Sequence, residues 1–337
     1  MKRFELSERF GIESLRIVDR PRPVPEAGHV LLQMLAFSLN YRDLLVVKGL
    51  YNPNLPLPLV PLSDGVGRVV EIGEGVSRVK RGDRIAGNFV QDWISGQLTD
   101  AKAKTALGGG HTGLLAEYVV LHQDSLVHIP EYLSDEEAAT LPCAGLTAWH
   151  ALVSAGHVAP GDTILTQGTG GVSIFALQFA RLAGARVIGT SSSDAKLARA
   201  RQLGLSDGIN YKTVPDWDKR ARELTNNQGV DHVVEVGGGG TLTRSLRATR
   251  HGGRISLIGI LSHSGEVNLT PALMKNICIQ GIFVGSREMF EAMNRAVAEH
   301  RLRPVVDRVF GFAEAPEAFR HLESGAHFGK VCIRVGG

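Results

Sequence analysis

The sequence contains only three cysteines, Cys143, Cys278 and Cys332, in 337 residues. Three thiols make neither a disulfide framework nor a four-cysteine zinc ribbon, and so few are typical of a reducing compartment. Aromatic residues are sparse at 6%. No apolar run approaches the roughly 18 residues that would span a bilayer. The first residues, Met1 to Glu8, carry no apolar stretch of the kind a signal peptide needs, so a cytoplasmic protein is expected. Charge of one sign is also missing. Lys and Arg number 37 against 34 Asp and Glu, a net charge of +3. That balance argues against nucleic acid or an anionic membrane as the main partner. There is no internal repeat, no low-complexity tract, no Gly-x-x-x-x-Gly-Lys phosphate loop and no Gly-x-Ser-x-Gly elbow, which sets aside NTPase and hydrolase readings.

What is plentiful is glycine, with 40 residues. At this length about two domains are expected, each large enough to stand on its own core. From Leu15 to about Val127 the chain is short apolar runs (Val30–Leu35, Gly67–Ile72, Arg84–Phe89, Ala116–Leu121) broken by Gly, Pro and Asn. This predicts short antiparallel strands around a small barrel. The polar, glycine-rich stretch 91–113 reads as an exposed functional loop. From Asp162 the pattern changes to strand then helix. Strands are predicted at Thr163–Gln167, Arg186–Thr190, Asp231–Val236, Arg254–Ile260 and Asn276–Val284, and helices at Val172–Ala183, Asp194–Leu203 and Glu288–His300. Alternation of this kind predicts a doubly wound parallel α/β sheet. The tail from Arg303 is expected to rejoin the first domain. The division is therefore 1–126, 127–284 and a return segment 285–337.

The most informative glycines follow the first parallel strand. Gly168-Thr169-Gly170-Gly171-Val172-Ser173 lies between a strand and an apolar helix, the setting of a dinucleotide fingerprint. Gly168 permits the turn and Gly170 permits a pyrophosphate to approach backbone amides at a helix N-terminus. Ser173 stands where a third glycine usually packs. At the tip of the second strand no carboxylate awaits a ribose 2′-hydroxyl. Ser191, Ser192 and Ser193 are there instead, with Lys196, Arg199 and Tyr211-Lys212 following and Asp194 resembling a helix N-cap. Small hydroxyls and basic groups suit a 2′-phosphate, so NADPH is expected over NADH. Gly237, Ile258, Gly259 and Ile260, at two further strand ends, complete the expected cofactor set, along with Gly168, Thr169, Gly170, Gly171 and Val172.

With these motifs in place, the chain resembles the medium-chain dehydrogenase/reductase superfamily over almost all its length. The resemblance is carried by Ser38-Leu39-Asn40-Tyr41-Arg42-Asp43, Pro61 to Gly67, Gly82-Asp83-Arg84, Ala116 to Val119, Leu141 to Trp149, the glycine turn and Phe328-Gly329-Lys330. Within the superfamily it looks like the zinc-lacking quinone oxidoreductase branch and its alcohol-dehydrogenase-like relatives. It implies a GroES-like, mainly β outer domain, a Rossmann domain, an active site between them, and a homodimer formed through the last sheet strand, Cys278–Val284. Where zinc-dependent members carry ligands, this chain has Asn40, Ser63 and Cys143, and 91–113 has no cysteine, so no metal is expected.

Without a Lewis acid, reduction of a quinone or of a C=C bond conjugated to a carbonyl is the expected chemistry. Candidate catalytic residues are Asn40, Tyr41 and Tyr51, with Asp43 behind them near Ser63 and Asp64. Arg42 and Asp43, adjacent on a helix, are not expected to pair. Phe89, Trp93 and Trp149 are either substrate walls or core. The alternatives are a zinc-independent alcohol or aldehyde dehydrogenase, with Tyr41 or His150 as base, and a non-catalytic NADPH-binding protein.

Overall fold

The computed structural model describes residues 1–259 and 267–336. Contacts divide the chain into two units, Met1–Leu146 with Gly285–Gly337, and Thr147–Val284. The tail thus belongs with the first unit. The first crossover falls at Leu146/Thr147, against the 126/127 boundary expected from sequence.

The described strands of the first unit are β1 (Lys2–Leu6), β2 (Leu15–Asp19), β3 (His29–Leu39), β4 (Asp64–Ile72), β5 (Arg84–Gly87), β6 (Tyr118–His122) and β7 (Leu126–His128), with β14 (Val306–Gly311) and β15 (Lys330–Arg334) supplied by the tail. Seven of them form one sheet in the order β14-β15-β3-β4-β5-β7, with β6 also paired to β3. The eleven-residue β3 makes this possible. It pairs β6 through its first half and β15 through its second, both antiparallel, while β4 runs along its other edge with two register shifts. Its burial is near-continuous, so both faces meet core. The pairing of Val331 with Leu39 brings the start of β15 beside the end of β3.

The second unit is a six-stranded, wholly parallel sheet: β8 (Thr163–Gln167), β9 (Arg186–Ser191), β10 (Asp207–Asn210), β11 (Val230–Glu235), β12 (Thr249–Leu257) and β13 (Cys278–Gly281), in the order β10-β9-β8-β11-β12-β13. Strand order reverses between β8 and β11, the crevice where such sheets bind ligands. Of the expected strands, Thr163–Gln167 agrees to the residue. The expected 276–284 strand is only four residues long, Cys278–Gly281, and it lies between two residues in left-handed backbone that a strand cannot pass through, Asn276 (φ 53°) and Val284 (φ 47°).

The stretch 91–113 departs from the exposed loop expected of it. It carries a short helix, Asp100–Ala103, and then buries Ala106 and Leu107. Leu107 N–H donates to Phe89 O at 3.0 Å. Gly108 lies so close to Leu62 that a Cβ would meet its carbonyl oxygen at 2.7 Å, which explains a glycine there better than flexibility does. No helix among the described residues is long and apolar enough to cross a membrane.

Candidate functional site

In the first unit the candidate catalytic residues gather where β3 ends. Asn40 leaves the strand and caps the helix Tyr41–Val47. Its backbone N–H donates to Asp43 Oδ2 at 2.9 Å, and its side-chain Oδ1 accepts from Lys330 Nζ at 2.5 Å. Lys330 is 3% exposed and gives a second hydrogen bond to Leu39 O at 2.6 Å. Ser63 Oγ donates to Asp64 Oδ1 at 3.0 Å, and Asp64 Oδ2 accepts the backbone N–H of Cys143 at 3.2 Å. Asp43, Ser63 and Asp64 are fully buried. Two carboxylates, Asp43 and Asp64, are thus interred with two cations, Arg42 and Lys330. Burial raises the pKa of both acids, Asp64 to about 6, while Lys330 opposes the rise at Asp64 and Arg42 is the main opposing charge at Asp43.

Arg42 and Asp43 do pair, at 3.2 Å between Nη1 and Oδ1, against the sequence expectation. The side chains need not lie on one face. Asp43 turns back to the helix start to hold Asn40 N–H, and Arg42 Nη1 is fixed beside it by Leu107 O at 2.8 Å. The Arg42 guanidinium also stacks over the rings of Tyr51 and Phe89, each 5.0 Å to centroid. Tyr51 is 40% exposed and Tyr41 44%, so the structure brings Tyr51 to Arg42 but leaves Tyr41 outside this cluster. Phe89 and Trp93 are core residues, and Trp149 packs edge-on to Phe179 at 5.5 Å. His150 Nδ1 donates to Val284 O at 2.7 Å; burial lowers its pKa.

In the second unit the glycine turn has the geometry a dinucleotide needs. Gly168 takes φ 70°, Gly170 caps the twelve-residue helix Gly171–Leu182, and a Cβ on either glycine would meet nothing within 4 Å. The space above the turn is therefore open, and the helix N-terminus lies beneath it. Thr169 and Val172 flank the turn. Ser173 keeps the tight packing expected of a third glycine by donating its hydroxyl to Gln167 O at 2.5 Å. At the tip of β9, Ser191 is buried and its Oγ accepts from Ser193 N at 3.3 Å. Ser193, not Asp194, is the cap of the helix Asp194–Gln202; Asp194 is its first residue. Tyr211, 42% exposed, donates its backbone N–H to Ser191 O, and Ser192 and Lys196 adjoin the tip. Ile258 and Gly259 follow β12, which ends at Leu257 rather than running on to 260 as expected from sequence. A Cβ on Gly259 would stand 1.9 Å from Val236 O, so close approach of two strand ends requires this glycine. Ile260 lies outside the described residues.

A buried carboxylate that sequence reasoning passed over organises the second glycine turn. Glu235, the last residue of β11, is fully buried. Its Oε1 accepts from Gly237 N at 2.8 Å, Gly238 N at 3.0 Å and Thr241 Oγ1 at 2.6 Å. Its Oε2 accepts from Gln167 Nε2 at 2.7 Å and from Ser245 Oγ. Gln167 thereby ties the first glycine turn to the second. The available signal was an acid at a strand tip directly before four glycines.

Two family models match the chain: the alcohol dehydrogenase GroES-like domain over residues 26–131 and the zinc-binding dehydrogenase over 171–299. A zinc-type alcohol dehydrogenase-like protein of Schizosaccharomyces pombe is 46% identical over 91% of both chains. The chain belongs to the medium-chain dehydrogenase/reductase superfamily. Among solved structures, an NAD-dependent alcohol dehydrogenase is 37% identical (TM-score 0.92, all of both chains), and the quinone oxidoreductase of Coxiella burnetii 30% (TM-score 0.80, all of this chain and 99% of the other). The protein is an oxidoreductase of a family that binds a nicotinamide cofactor.

A catalytic zinc, which this superfamily's zinc branch implies, does not fit the residues present. Asn40 Oδ1 is taken by an ammonium group, Ser63 donates to Asp64, and burial holds the Cys143 thiol well above its ordinary pKa. A further cation, Lys330, already neutralises the site. Among the described residues no group of three or more His, Cys, Asp or Glu could hold a metal ion.

Proposed function

We propose that this chain is a zinc-independent, NADPH-preferring reductase that delivers hydride to a quinone or to a C=C bond conjugated to a carbonyl. The observation that carries the reading is the Lys330 ammonium hydrogen-bonded to Asn40 where a metal would need a donor. Bound NADPH would supply the hydride. Gly168, Thr169, Gly170, Gly171 and Val172 would hold the pyrophosphate, and Ser191, Ser192, Lys196 and Tyr211 the 2′-phosphate end, with Gly237, Ile258 and Gly259 beside the nicotinamide half. The absence of a carboxylate at the β9 tip supports NADPH over NADH. The chain's own contribution is hydrogen-bond donation to the oxygen that gains charge as hydride arrives, from Asn40 Nδ2 and the Tyr51 hydroxyl. Asp43 holds the Asn40 backbone, and Tyr41 is the weakest member of the set by position.

The same proposal includes a homodimer through β13, which among the described residues pairs only with β12 and leaves Ile279 36% exposed. It also includes a reducing, cytoplasmic setting, in keeping with three cysteines that are all free thiols. The names of the relatives favour a second reading, alcohol or aldehyde oxidation. One experiment separates them: chelated protein is followed at the reduced-nicotinamide band with NADPH or NADH against quinones, enones and aldehydes, and with NADP⁺ against alcohols. NADPH oxidation on quinones or enones that survives chelation supports the proposal. Activity only on alcohols, or activity lost on chelation, refutes it.

A further inference from the structure

Lys330 is a long side chain carried 290 residues from Asn40 by sequence and delivered to it by sheet register. Gly329 enters β15 at φ 80°, and a Cβ there would stand 2.4 Å from Val305 O, so the approach of the strand is sterically set. The next residue, Val331, pairs with Leu39. Lys330 Nζ then reaches Leu39 O and Asn40 Oδ1 together. An ammonium has donors and no acceptor, so only the carbonyl end of the Asn40 amide can face it; a flipped amide would set donor against donor. The Asn40 backbone is held independently through Asp43 Oδ2. What remains is Asn40 Nδ2. It is buried and faces Asp64, whose carboxylate it helps to stabilise, yet it closes no hydrogen bond of ordinary geometry among the described residues. Arg42 Nε in the same cluster is likewise unmatched. A buried donor left short of a full hydrogen bond needs an explanation, and for Nδ2 an incoming acceptor is one.

We propose that Lys330 is a positioning residue: by holding Asn40 Oδ1 it fixes the amide in the one orientation that offers Nδ2 to the oxygen of the substrate. The inference rests on Asn40 acting as the donor, as argued under Proposed function. The groups that feel the Lys330 charge are Asp43, Asp64, Cys143 and Cys332, so loss of that charge alone unbalances the cluster. The test therefore uses two variants, Lys330→Met and the charge-balanced Lys330→Met/Asp64→Asn, beside Asn40→Ala and the Lys330→Met/Asn40→Ala pair.

With NADPH and 1,4-naphthoquinone, both lysine variants should lose about a hundredfold in kcat, the lower end of the range for loss of one preorganised donor, with NADPH affinity unchanged. Adding Asn40→Ala to Lys330→Met should cost little more, because both act on one hydrogen bond. Wild-type turnover in Lys330→Met/Asp64→Asn would overturn the proposal, leaving Lys330 as charge balance only. Multiplicative losses in the pair would overturn it too. Full turnover in Asn40→Ala would instead remove the donor reading itself. If the wild type does not reduce naphthoquinone, the orientation is read directly: the Asn40 side-chain ¹⁵N–¹H₂ pair, assigned by its loss in Asn40→Ala, should shift in the charge-balanced variant. An unmoved pair refutes the lock.

Discussion

Acid should weaken the second unit through one residue, His232. It lies in β11, 3% exposed, with Nε2 2.8 Å from Ser256 Oγ. Burial, with Arg254 adding to it, pushes its pKa from 6.5 down to about 4. Between those values the unfolded chain binds a proton that the folded chain refuses. The stability His232 contributes is therefore complete above pH 6.5 and is lost as pH falls towards about 4. At about 1.4 kcal/mol per pKa unit the full loss is roughly 3 kcal/mol, of which about 2 kcal/mol is gone by pH 5. Asp43 and Asp64 act with the opposite sign. Their folded pKa values are raised, so what they contribute is greatest in acid and falls as pH rises, for Asp64 through about 6. A difference between variants cancels them. Urea unfolding of wild type and His232→Gln should be compared at pH 7.5 and 5.0. The variant starts less stable, having lost packing, but its drop on acidification should be about 2 kcal/mol smaller than that of the wild type. Equal drops in both proteins would show that His232 does not titrate as its burial requires.

Ser191→Asp should weaken NADPH at least about tenfold more than NADH, because a carboxylate at the β9 tip repels a 2′-phosphate; equal affinities by fluorescence titration would remove Ser191 from the cofactor site. Tyr51→Phe should lower kcat roughly tenfold with NADPH affinity unchanged if its hydroxyl donates in the transition state, and an unaltered rate would leave Tyr51 as a partner of Arg42 alone. Glu235→Ala should strip an acceptor from five donors and cost roughly 2–4 kcal/mol in denaturant unfolding, along with NADPH affinity; a variant of wild-type stability would contradict the buried network. Gly259→Ala should lower the melting temperature by several degrees, since the added methyl meets Val236 O, and an unchanged melt would show that the strand ends can part freely.

Legible in the sequence alone were the class of fold, the strands Thr163–Gln167, Arg186–Ser191 and Val230–Glu235 to within a residue, the helices Gly171–Leu182 and Asp194–Gln202, and the turn at Gly168–Gly171; the strand Asp207–Asn210 and the helices Trp217–Glu223 and Gly239–Ala248 were not. The legible features are local matters. A parallel strand must be apolar on both faces, a turn at φ 70° calls for glycine, and both are visible within a dozen residues. The lack of ligand side chains at Asn40 and Ser63 was equally legible, because identity alone decides it. Tertiary structure decided the rest. Lys330 meets Asn40 only through the register of β15 on β3, and no spacing rule reaches across 290 residues. Arg42 pairs with Asp43 because Leu107 O and the helix start hold the two side chains together, overriding the rule for neighbours on a free helix. The stretch 91–113 reads as loop by composition, yet two of its glycines, Gly108 and Gly113, let backbone lie against Leu62 and Val60. Glu235 is an ordinary acid in the sequence and becomes the centre of a network only once β8, β11 and the helix Gly239–Ala248 converge on it. Long-range pairing of polar groups is set by how strands register, and that information is spread over the whole chain.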